Sequence, residues 1–367
     1  MNNLKKYDAA TGRNSSVEML RIVAMMMIVI SHASVHGGYP ERNSVVEFNN
    51  HFLNWAILGN LGTNIYVLIT GYFLCTKQFD VKWVLKPLTQ VWFYSVLCGL
   101  IQLVVEGSVS GKEIIAILFP TIFQKYWFFT AYFVLMLLAP YINILINNAS
   151  QKQFQTCLLT MIVLWCVILS FTNQDMLSSE MIRMFMYYMI GAYFKMYPDN
   201  YLAVSGIRNW LASVSMLLLF LSSTTIRFVN EHVVYLISET SFINEFSVIT
   251  VGASVGLFLI AAYHAHWENS FVNTIASCTF GVYLLHDNPF MRKVIWRNWL
   301  DNTVWYDSGW LMFYILLSVL LVFAACLPIE LLRQKIVAKP LLRYTEKILG
   351  WIRKRIEDVA GCVRSPF

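Results

Sequence analysis

Residues 18–32 read Glu-Met-Leu-Arg-Ile-Val-Ala-Met-Met-Met-Ile-Val-Ile-Ser-His and place Glu18, Arg21 and His32 in the first long apolar run of the chain. A charge at the centre of a membrane-spanning helix costs about 2.5–3.5 kcal/mol on insertion scales, so such groups are usually paired or functional. The spacing from Arg21 to His32 is three helical turns plus about 20°, or about 16 Å along the axis. Both side chains therefore point the same way, which predicts a polar track into an apolar helix.

The composition of the whole chain is that of a membrane protein. Of its 367 residues, 57% are hydrophobic and 13% are charged, whereas soluble domains usually have about 25% charged residues. We therefore predict an all-α, polytopic membrane helix bundle. The seven cysteines lack metal-ligand spacing, so we predict no metal site. The net charge of +6 is explained by membrane topology and does not indicate a nucleic-acid partner.

The apolar runs predict about ten transmembrane helices. Their approximate limits are 17–36, 53–75, 88–105, 126–146, 156–172, 181–197, 209–226, 246–263, 272–288 and 309–331. The run 113–123 is too short to span and is predicted to be re-entrant or interfacial. With the N-terminus inside, 18 of the 27 Lys and Arg residues lie in inside segments and seven lie outside. The positive-inside rule then predicts that both termini are cytoplasmic.

The predicted domain organisation has three parts. Residues 1–16 form a cytoplasmic N-terminal segment, 17–331 the membrane domain and 332–367 a basic cytoplasmic tail. The tail is amphipathic and is predicted to lie along the inner membrane surface. A cleavable signal peptide is the competing interpretation of the N-terminus. Glu18 and Arg21 lie too close to its apolar core to favour cleavage.

Two interpretations of Arg21 and His32 are open from the residues alone. Arg21 could snorkel to the inner interface beside Glu18, while His32 hydrogen-bonds a neighbouring helix. Alternatively, both belong to a functional site, because histidine is the side chain whose ordinary pKa suits proton transfer near neutrality. His32 lies well beyond snorkelling distance of the inner face, which favours a function.

Four motifs in order give the chain a family resemblance. Arg-X10-His in the first span resembles the signature of the acyltransferase-3 family of integral-membrane O-acyltransferases. The other motifs are similar to that family's second, fourth and late spans: Ile69-Thr70-Gly71-Tyr72-Phe73-Leu74, the aromatic run Tyr126–Tyr132 with Pro140-Tyr141, and Gly281-Val282-Tyr283-Leu284-Leu285-His286. Thr70 stands where serine is common, and the hydroxyl is kept. The resemblance covers about residues 16–330.

The resemblance implies an enzyme of a bacterial cytoplasmic membrane with no permanently bound cofactor. It would move an acyl group, most often acetyl from cytoplasmic acetyl-CoA, to a hydroxyl of an extracytoplasmic or lipid-linked cell-envelope polysaccharide. His32 would be the general base or an acylated nucleophile, and the residues leave both roles open. Arg21, Lys82 and Lys86 would bind the phosphates of CoA, although the two lysines are also explained by topology alone. His286 would orient the acceptor or stabilise the oxyanion.

Six further residues are candidates for substrate binding: Glu18, Asn64, Thr70, Tyr72, Trp127 and Tyr283. Interhelical hydrogen bonds alone could explain the polar residues of the second span, and Trp127 could be an aromatic anchor at the outer interface instead of a platform for a sugar. Asp287 is predicted to lie at the membrane interface, and His36, His51, His232, His264 and His266 are predicted to be solvated.

A transporter or flippase of a glycolipid or small metabolite is the alternative function. Its buried charges would line a translocation path, and acyl-CoA would be irrelevant. An inverted repeat or helices broken in matching halves would favour transport, and the sequence shows neither by inspection. A non-catalytic scaffold in a polysaccharide assembly complex is a third hypothesis, which predicts that His32 is dispensable.

Overall fold

The computed structural model of the protein describes residues 13–37, 59–172, 178–235, 241–306 and 308–363. Every regular element in these ranges is helical, so the predicted all-α class is confirmed. The helices are α1 Ser15–His36, α2 Gly59–Leu74, α3 Lys82–Glu106, α4 Gly111–Leu118, α5 Trp127–Asn148, α6 Gln151–Thr172, α7 Glu180–Met196, α8 Ser205–His232, α9 Val248–Ala262, α10 Ser270–His286, α11 Pro289–Lys293, α12 Leu311–Ile336 and α13 Ala338–Val363.

Six of these helices are long and apolar enough to cross a membrane: α1, α3, α5, α6, α8 and α12. The chain is therefore a multi-pass membrane protein. Each of the ten predicted spans overlaps a helix, and the helices of the four other spans, α2, α7, α9 and α10, have 15 to 17 residues. The number of ten crossings and the cytoplasmic position of both termini stay predictions.

Helix α1 is the central element because it packs against four others, α2, α9, α10 and α12. Asn14 begins it by accepting a hydrogen bond from the Ser16 N–H, and Glu18 lies in its first turn, where a negative charge interacts favourably with the helix dipole. The first turn is also joined to α10. Ser15 Oγ donates to Asn273 Oδ1 over 2.9 Å. This packing fixes α1 and α10 side by side, with both running in the same direction toward their C-terminal histidines.

The short run 113–123 forms α4 and the turn that follows it. Ser95 Oγ in α3 donates to the Ile117 carbonyl over 2.8 Å, so α4 lies along α3 instead of crossing the bundle. The turn then brings the chain to α5, which begins at Trp127. Helix α12 continues beyond the predicted tail boundary at 331 and ends at Ile336. Its residues Glu330 and Arg333 form a buried ion pair with Nη2–Oε1 of 2.7 Å.

Helices α2 and α7 approach each other so closely that glycine is required at two points. A Cβ atom on Gly71 would collide with the Tyr188 carbonyl oxygen, and a Cβ on Gly191 would collide with the carbonyl oxygen of Leu68. The obstacles are backbone atoms, which cannot turn aside as a flexible side chain can. The two glycines therefore set the separation of α2 and α7.

We expect Gly191→Ala to destabilise the protein by about 1–3 kcal/mol or more, because overpacking forces the two helices apart. The measurement is the thermal unfolding midpoint of the protein purified in detergent. Gly206→Ala is the matched control, since nothing lies within 4 Å of the position that its Cβ atom would take, and we expect it to be neutral or slightly stabilising. Equal midpoints for the two variants would contradict this account of the α2–α7 contact.

Candidate active site

The two histidines singled out by the sequence meet at the ends of α1 and α10. His32 Nδ1 lies 2.9 Å from His286 Nε2 and 3.2 Å from Asp287 Oδ1. His286 and Asp287 are fully buried, and the His32 side chain is 14% exposed. Residues 254 positions apart in sequence thus form one compact polar cluster.

The contacts of the cluster assign the proton positions on both rings. His286 Nδ1 is within 2.6 Å of the Val282 carbonyl oxygen, which can only accept, so we place a proton on Nδ1. The neutral His286 ring then accepts at Nε2, and His32 Nδ1 must be the donor to both His286 and Asp287. The remaining His32 nitrogen, Nε2, carries a lone pair and hydrogen-bonds no residue in the described ranges. It is the free basic atom of the site.

Asp287 is the anchor of this cluster, contrary to its predicted place at the membrane interface. Its Oδ1 atom also accepts from Arg292 Nε over 2.8 Å and lies 3.7 Å from His36 Nε2. The prediction that His36 is solvated is therefore wrong as well. A buried carboxylate held by an arginine and a second histidine keeps its negative charge beside His32, where it stabilises a positive charge on the ring.

His32, His36 and Asp287 are also the described group that could hold a metal ion, with their ligand atoms within 4.8 Å of one another. The Arg292 guanidinium, however, already contacts the same carboxylate oxygen. A divalent ion bound there would sit beside a fixed positive charge, which opposes its binding. We therefore assign these residues to a hydrogen-bond network.

The segment after α10 folds back over the cluster and covers it. Trp296 is fully buried, with its ring centroid 6.4 Å from that of His286. Asn302, also fully buried, donates to the Ala33 carbonyl of α1 over 3.3 Å. This cover explains why Asp287, which follows directly after a helix end, is removed from solvent.

An aromatic layer lies on the other side of the cluster. This aromatic layer consists of Phe128, Phe280 and Tyr283. The Tyr283 ring centroid is 6.5 Å from His32, 6.1 Å from Phe128 and 6.0 Å from Phe280. The structure therefore places Tyr283 beside His32, and its role in substrate binding stays a prediction.

Beyond the aromatic layer is a cavity of about 350 Å³, which we call the Arg21 cavity. It opens near the beginning of α1, and four cationic side chains line it: Arg13, Arg21, Lys82 and Lys86. Glu18 and Thr70 also line it, as do Phe128 and Phe280 of the aromatic layer. Arg21 donates to Glu18 over 2.6 Å. The structure thus brings together the three cations that the sequence assigned to the acyl donor, and it adds Arg13.

A second cavity, of about 770 Å³, is lined by α4, the turn after it, the start of α5 and α11, and we call it the Lys125 cavity. Trp127 lines it, together with Lys112, Glu113, Lys125 and Arg292. Arg292 links it to the histidine cluster through Asp287. The consecutive residues Trp127 and Phe128 line different cavities, so the two cavities approach each other closely at the start of α5.

Two predicted substrate-binding residues lie away from both cavities. Asn64 is buried beside Arg183, whose Nη1 donates to Asn64 Oδ1 over 2.7 Å. Glu180 neutralises Arg183 from the same helix. Tyr72 packs against Phe258, and Lys195 Nζ lies 5.4 Å from the centroid of its ring. The alternative of interhelical hydrogen bonding therefore describes Asn64 better than a cavity lining does.

The family model described as an acyltransferase domain matches residues 14–330. The chain belongs to the acyltransferase-3 family. No curated protein and no solved structure matches it. Membership of the acyltransferase-3 family makes the chain an acyltransferase with membrane helices. Of the two motif residues of its first span, Arg21 lines the Arg21 cavity and His32 belongs to the histidine cluster.

The cluster has the parts that acyl transfer to an alcohol requires of an acyltransferase. One nitrogen is free to accept a proton or an acyl group, and a buried carboxylate fixes the ring from the other side. Sequence reasoning missed Asp287, Arg292 and His36. The signal that could have found Asp287 is its position directly after His286, because a histidine and an acid at one helix end can face the same partner helix.

Proposed function

We propose that this protein transfers an acetyl group from acetyl-CoA to a hydroxyl of a cell-envelope polysaccharide or its lipid-linked precursor, in the cytoplasmic membrane of a bacterium. The observation that carries the proposal is the position of His32. Its ring lies beside Tyr283 of the aromatic layer, which borders the Arg21 cavity. It also contacts Asp287, whose partner Arg292 lines the larger Lys125 cavity. Donor and acceptor would then reach one nitrogen from opposite faces.

The donor would bind in the Arg21 cavity. The phosphates of CoA need cations, and charge-assisted hydrogen bonds to phosphate are among the stronger polar interactions in proteins. Arg13, Lys82 and Lys86 are exposed where the cavity opens near the start of α1. The acyl thioester would extend from this opening toward the aromatic layer, and the layer must part to admit it to His32.

The chemical step follows from the proton positions. His32 Nε2 takes the proton of the acceptor hydroxyl while the oxygen of that hydroxyl attacks the thioester carbonyl carbon. The C–S bond breaks, the CoA thiolate leaves, and the proton held by His32 is returned to the sulfur. Asp287 stabilises the imidazolium that exists between these events, as a carboxylate does behind a catalytic histidine. We favour this general-base role over acylation of His32, because an acyl-imidazole would need a second attack in the same confined space.

The direct test is acetyl transfer by membrane vesicles that contain the protein. Vesicles are supplied with acetyl-CoA labelled in the acetyl group, and ester-linked label is measured in the extracted envelope glycan. We expect label in the glycan with the protein and none in vesicles from cells lacking it. Equal label in both preparations would remove the enzymatic proposal, and transport of an unmodified glycolipid in the same vesicles would support the transporter instead.

We expect Arg21→Gln to raise the KM for acetyl-CoA by about 10- to 100-fold, since a hydrogen bond to a charged group contributes about 1.5–3 kcal/mol. The KM for the glycan should stay unchanged, because Arg21 lines only the donor side. Lys152→Gln is the matched control, with an exposed charge outside both cavities. An unchanged KM for acetyl-CoA in a folded variant would contradict the placement of the donor.

A further inference from the structure

The Lys125 cavity carries a charge that the proposed chemistry does not require. Among the described residues that line it, three are cationic, Lys112, Lys125 and Arg292, and one, Glu113, is acidic. A neutral sugar hydroxyl needs no such excess. The carboxylate of Glu113 is turned toward its own helix, where it closes a capping box by accepting from the Ser110 N–H over 3.2 Å. The Glu113 carboxylate therefore caps the start of α4 and does not pair with the cations of the cavity.

Arg292 lines this cavity with a guanidinium group that is only partly engaged by the described residues. Its Nε donates to Asp287 Oδ1, while neither Nη atom hydrogen-bonds a residue in the described part of the chain. The side chain is 25% exposed. Arginine commonly binds carboxylate and phosphate groups through two parallel N–H donors. An anion on these Nη atoms would be separated from His32 only by the carboxylate of Asp287.

Lys125 is the second cation of this cavity that could bind an anion. It is half-buried, and no carboxylate in the described ranges lies within salt-bridge distance of its ammonium group. Burial lowers the pKa of Lys125, and the more distant Glu113 only partly offsets this effect. An unpaired cation in a half-buried place costs free energy that an incoming anion would recover.

The backbone before Lys125 is held in a conformation that a non-glycine residue rarely adopts. Gln124 has φ of 50°, in the left-handed region, and both Gln124 and Lys125 line the cavity. The Lys125 N–H is fixed to the Pro120 carbonyl over 2.9 Å. Strain of this kind persists where the surrounding structure over-determines it, often at ligand sites.

Trp127 completes the lining with a large flat surface. The residue is 38% exposed, and the Arg183 guanidinium carbon lies 5.8 Å from the centroid of its ring. This cation holds the indole in place through a cation–π contact. A tryptophan held in this way offers an apolar face to a sugar ring. Lys112, Lys125 and Arg292 line the same cavity.

We propose that the acceptor is an acidic glycan, which the Lys125 cavity binds through a carboxylate or phosphate group held by Arg292 and Lys125. Its sugar ring packs against Trp127, and a hydroxyl of that ring is presented to His32. This proposal rests on the proposed function and names the class of its acceptor. An anionic lipid headgroup has the same chemistry and is the competing source of the charge.

The test uses the full-length protein in nanodiscs of phosphatidylcholine only, labelled acetyl-CoA, and glycan extracted from membranes of the expressing cells. We expect Lys125→Gln to raise the KM for the glycan about tenfold or more while the KM for acetyl-CoA is unchanged. Lys125→Arg should restore most of the affinity, which a merely structural loss would not permit. Lys293→Gln is the matched control, since Lys293 is an exposed neighbour of Arg292 that does not line the cavity.

Chemical treatment of the glycan separates the sources of the charge. Reduction of its carboxyl groups to alcohols, or removal of its phosphates with hydrofluoric acid, should abolish the difference between wild type and Lys125→Gln. If neither treatment changes the glycan KM of the wild type, the proposal is overturned although transfer itself stands. An effect of Lys125→Gln seen only in discs containing phosphatidylglycerol also overturns it, in favour of a lipid site. Absence of any transfer by the wild type instead rejects the proposed function.

Discussion

We expect His32→Ala to lower the rate of acetyl transfer by about 100- to 10,000-fold, the usual contribution of a positioned general base. The reason is that Nε2 of His32 has no partner in the described ranges, whereas both nitrogens of His286 are engaged. The variant frees His286 Nε2, but that atom lies 2.9 Å from the position of His32 Nδ1 and not at the position of its Nε2, so we do not expect it to replace the base. The measurement is labelled acetyl in the envelope glycan at equal protein content of the membranes.

His264→Ala is the matched control for this prediction, because His264 is exposed and remote from the cluster in sequence and contacts. Undiminished transfer by His32→Ala would leave the scaffold hypothesis as the better one. A second measurement separates the two roles of His32. Wild-type protein given labelled acetyl-CoA without glycan should retain no label if His32 is a base, whereas label bound to the wild type and absent from His32→Ala would show an acyl-enzyme.

The second large effect concerns Asp287. We expect Asp287→Asn to lower the turnover number about 100-fold or more while the KM values for both substrates change little. The amide keeps the size of the side chain but loses the charge that stabilises protonated His32, and its NH2 group would oppose the proton on His32 Nδ1. Kinetics at saturating acetyl-CoA and glycan separate this effect from weaker binding.

The same substitution also leaves Arg292 without its anion. Removing one member of a buried pair costs about 3–5 kcal/mol, so the unfolding midpoint must be measured beside the kinetics. Asp199→Asn is the control, since Asp199 is exposed. A variant that is folded, binds both substrates and turns over at the wild-type rate would show that Asp287 is structural only.

Much of the site can be predicted from the sequence because it depends on helix periodicity. The 11-residue spacing of Arg21 and His32 fixes both to one stripe of α1, and the late motif supplies His286. Periodicity says nothing about what covers a helix end. Hydropathy places Asp287 at the interface because it ends an apolar run, and its burial depends on the return of Trp296 and Asn302 over the cluster.

The sequence also does not predict which residues of different helices hydrogen-bond each other across the bundle. Helix spacing predicts that the polar residues of the second span line one cavity, but Thr70 lines the Arg21 cavity and Asn64 binds Arg183. Whether a polar residue of α2 lines a cavity or binds a residue of α7 depends on the position of α7. That position is set by the backbone contacts at Gly71 and Gly191. In the sequence Lys125 is only a topological charge, because its role depends on a left-handed turn that hydropathy does not reveal.

The aromatic layer has an electrical consequence. Two cavities rich in cations approach each other at Trp127 and Phe128, and a continuous column of water between them would conduct protons and dissipate the voltage across the membrane. Phe128, Phe280 and Tyr283 interrupt that column with ring surface that cannot carry a proton. In the proposed reaction the layer would therefore open only when the acyl chain itself fills the gap, so that each transfer would proceed without a leak of protons across the membrane.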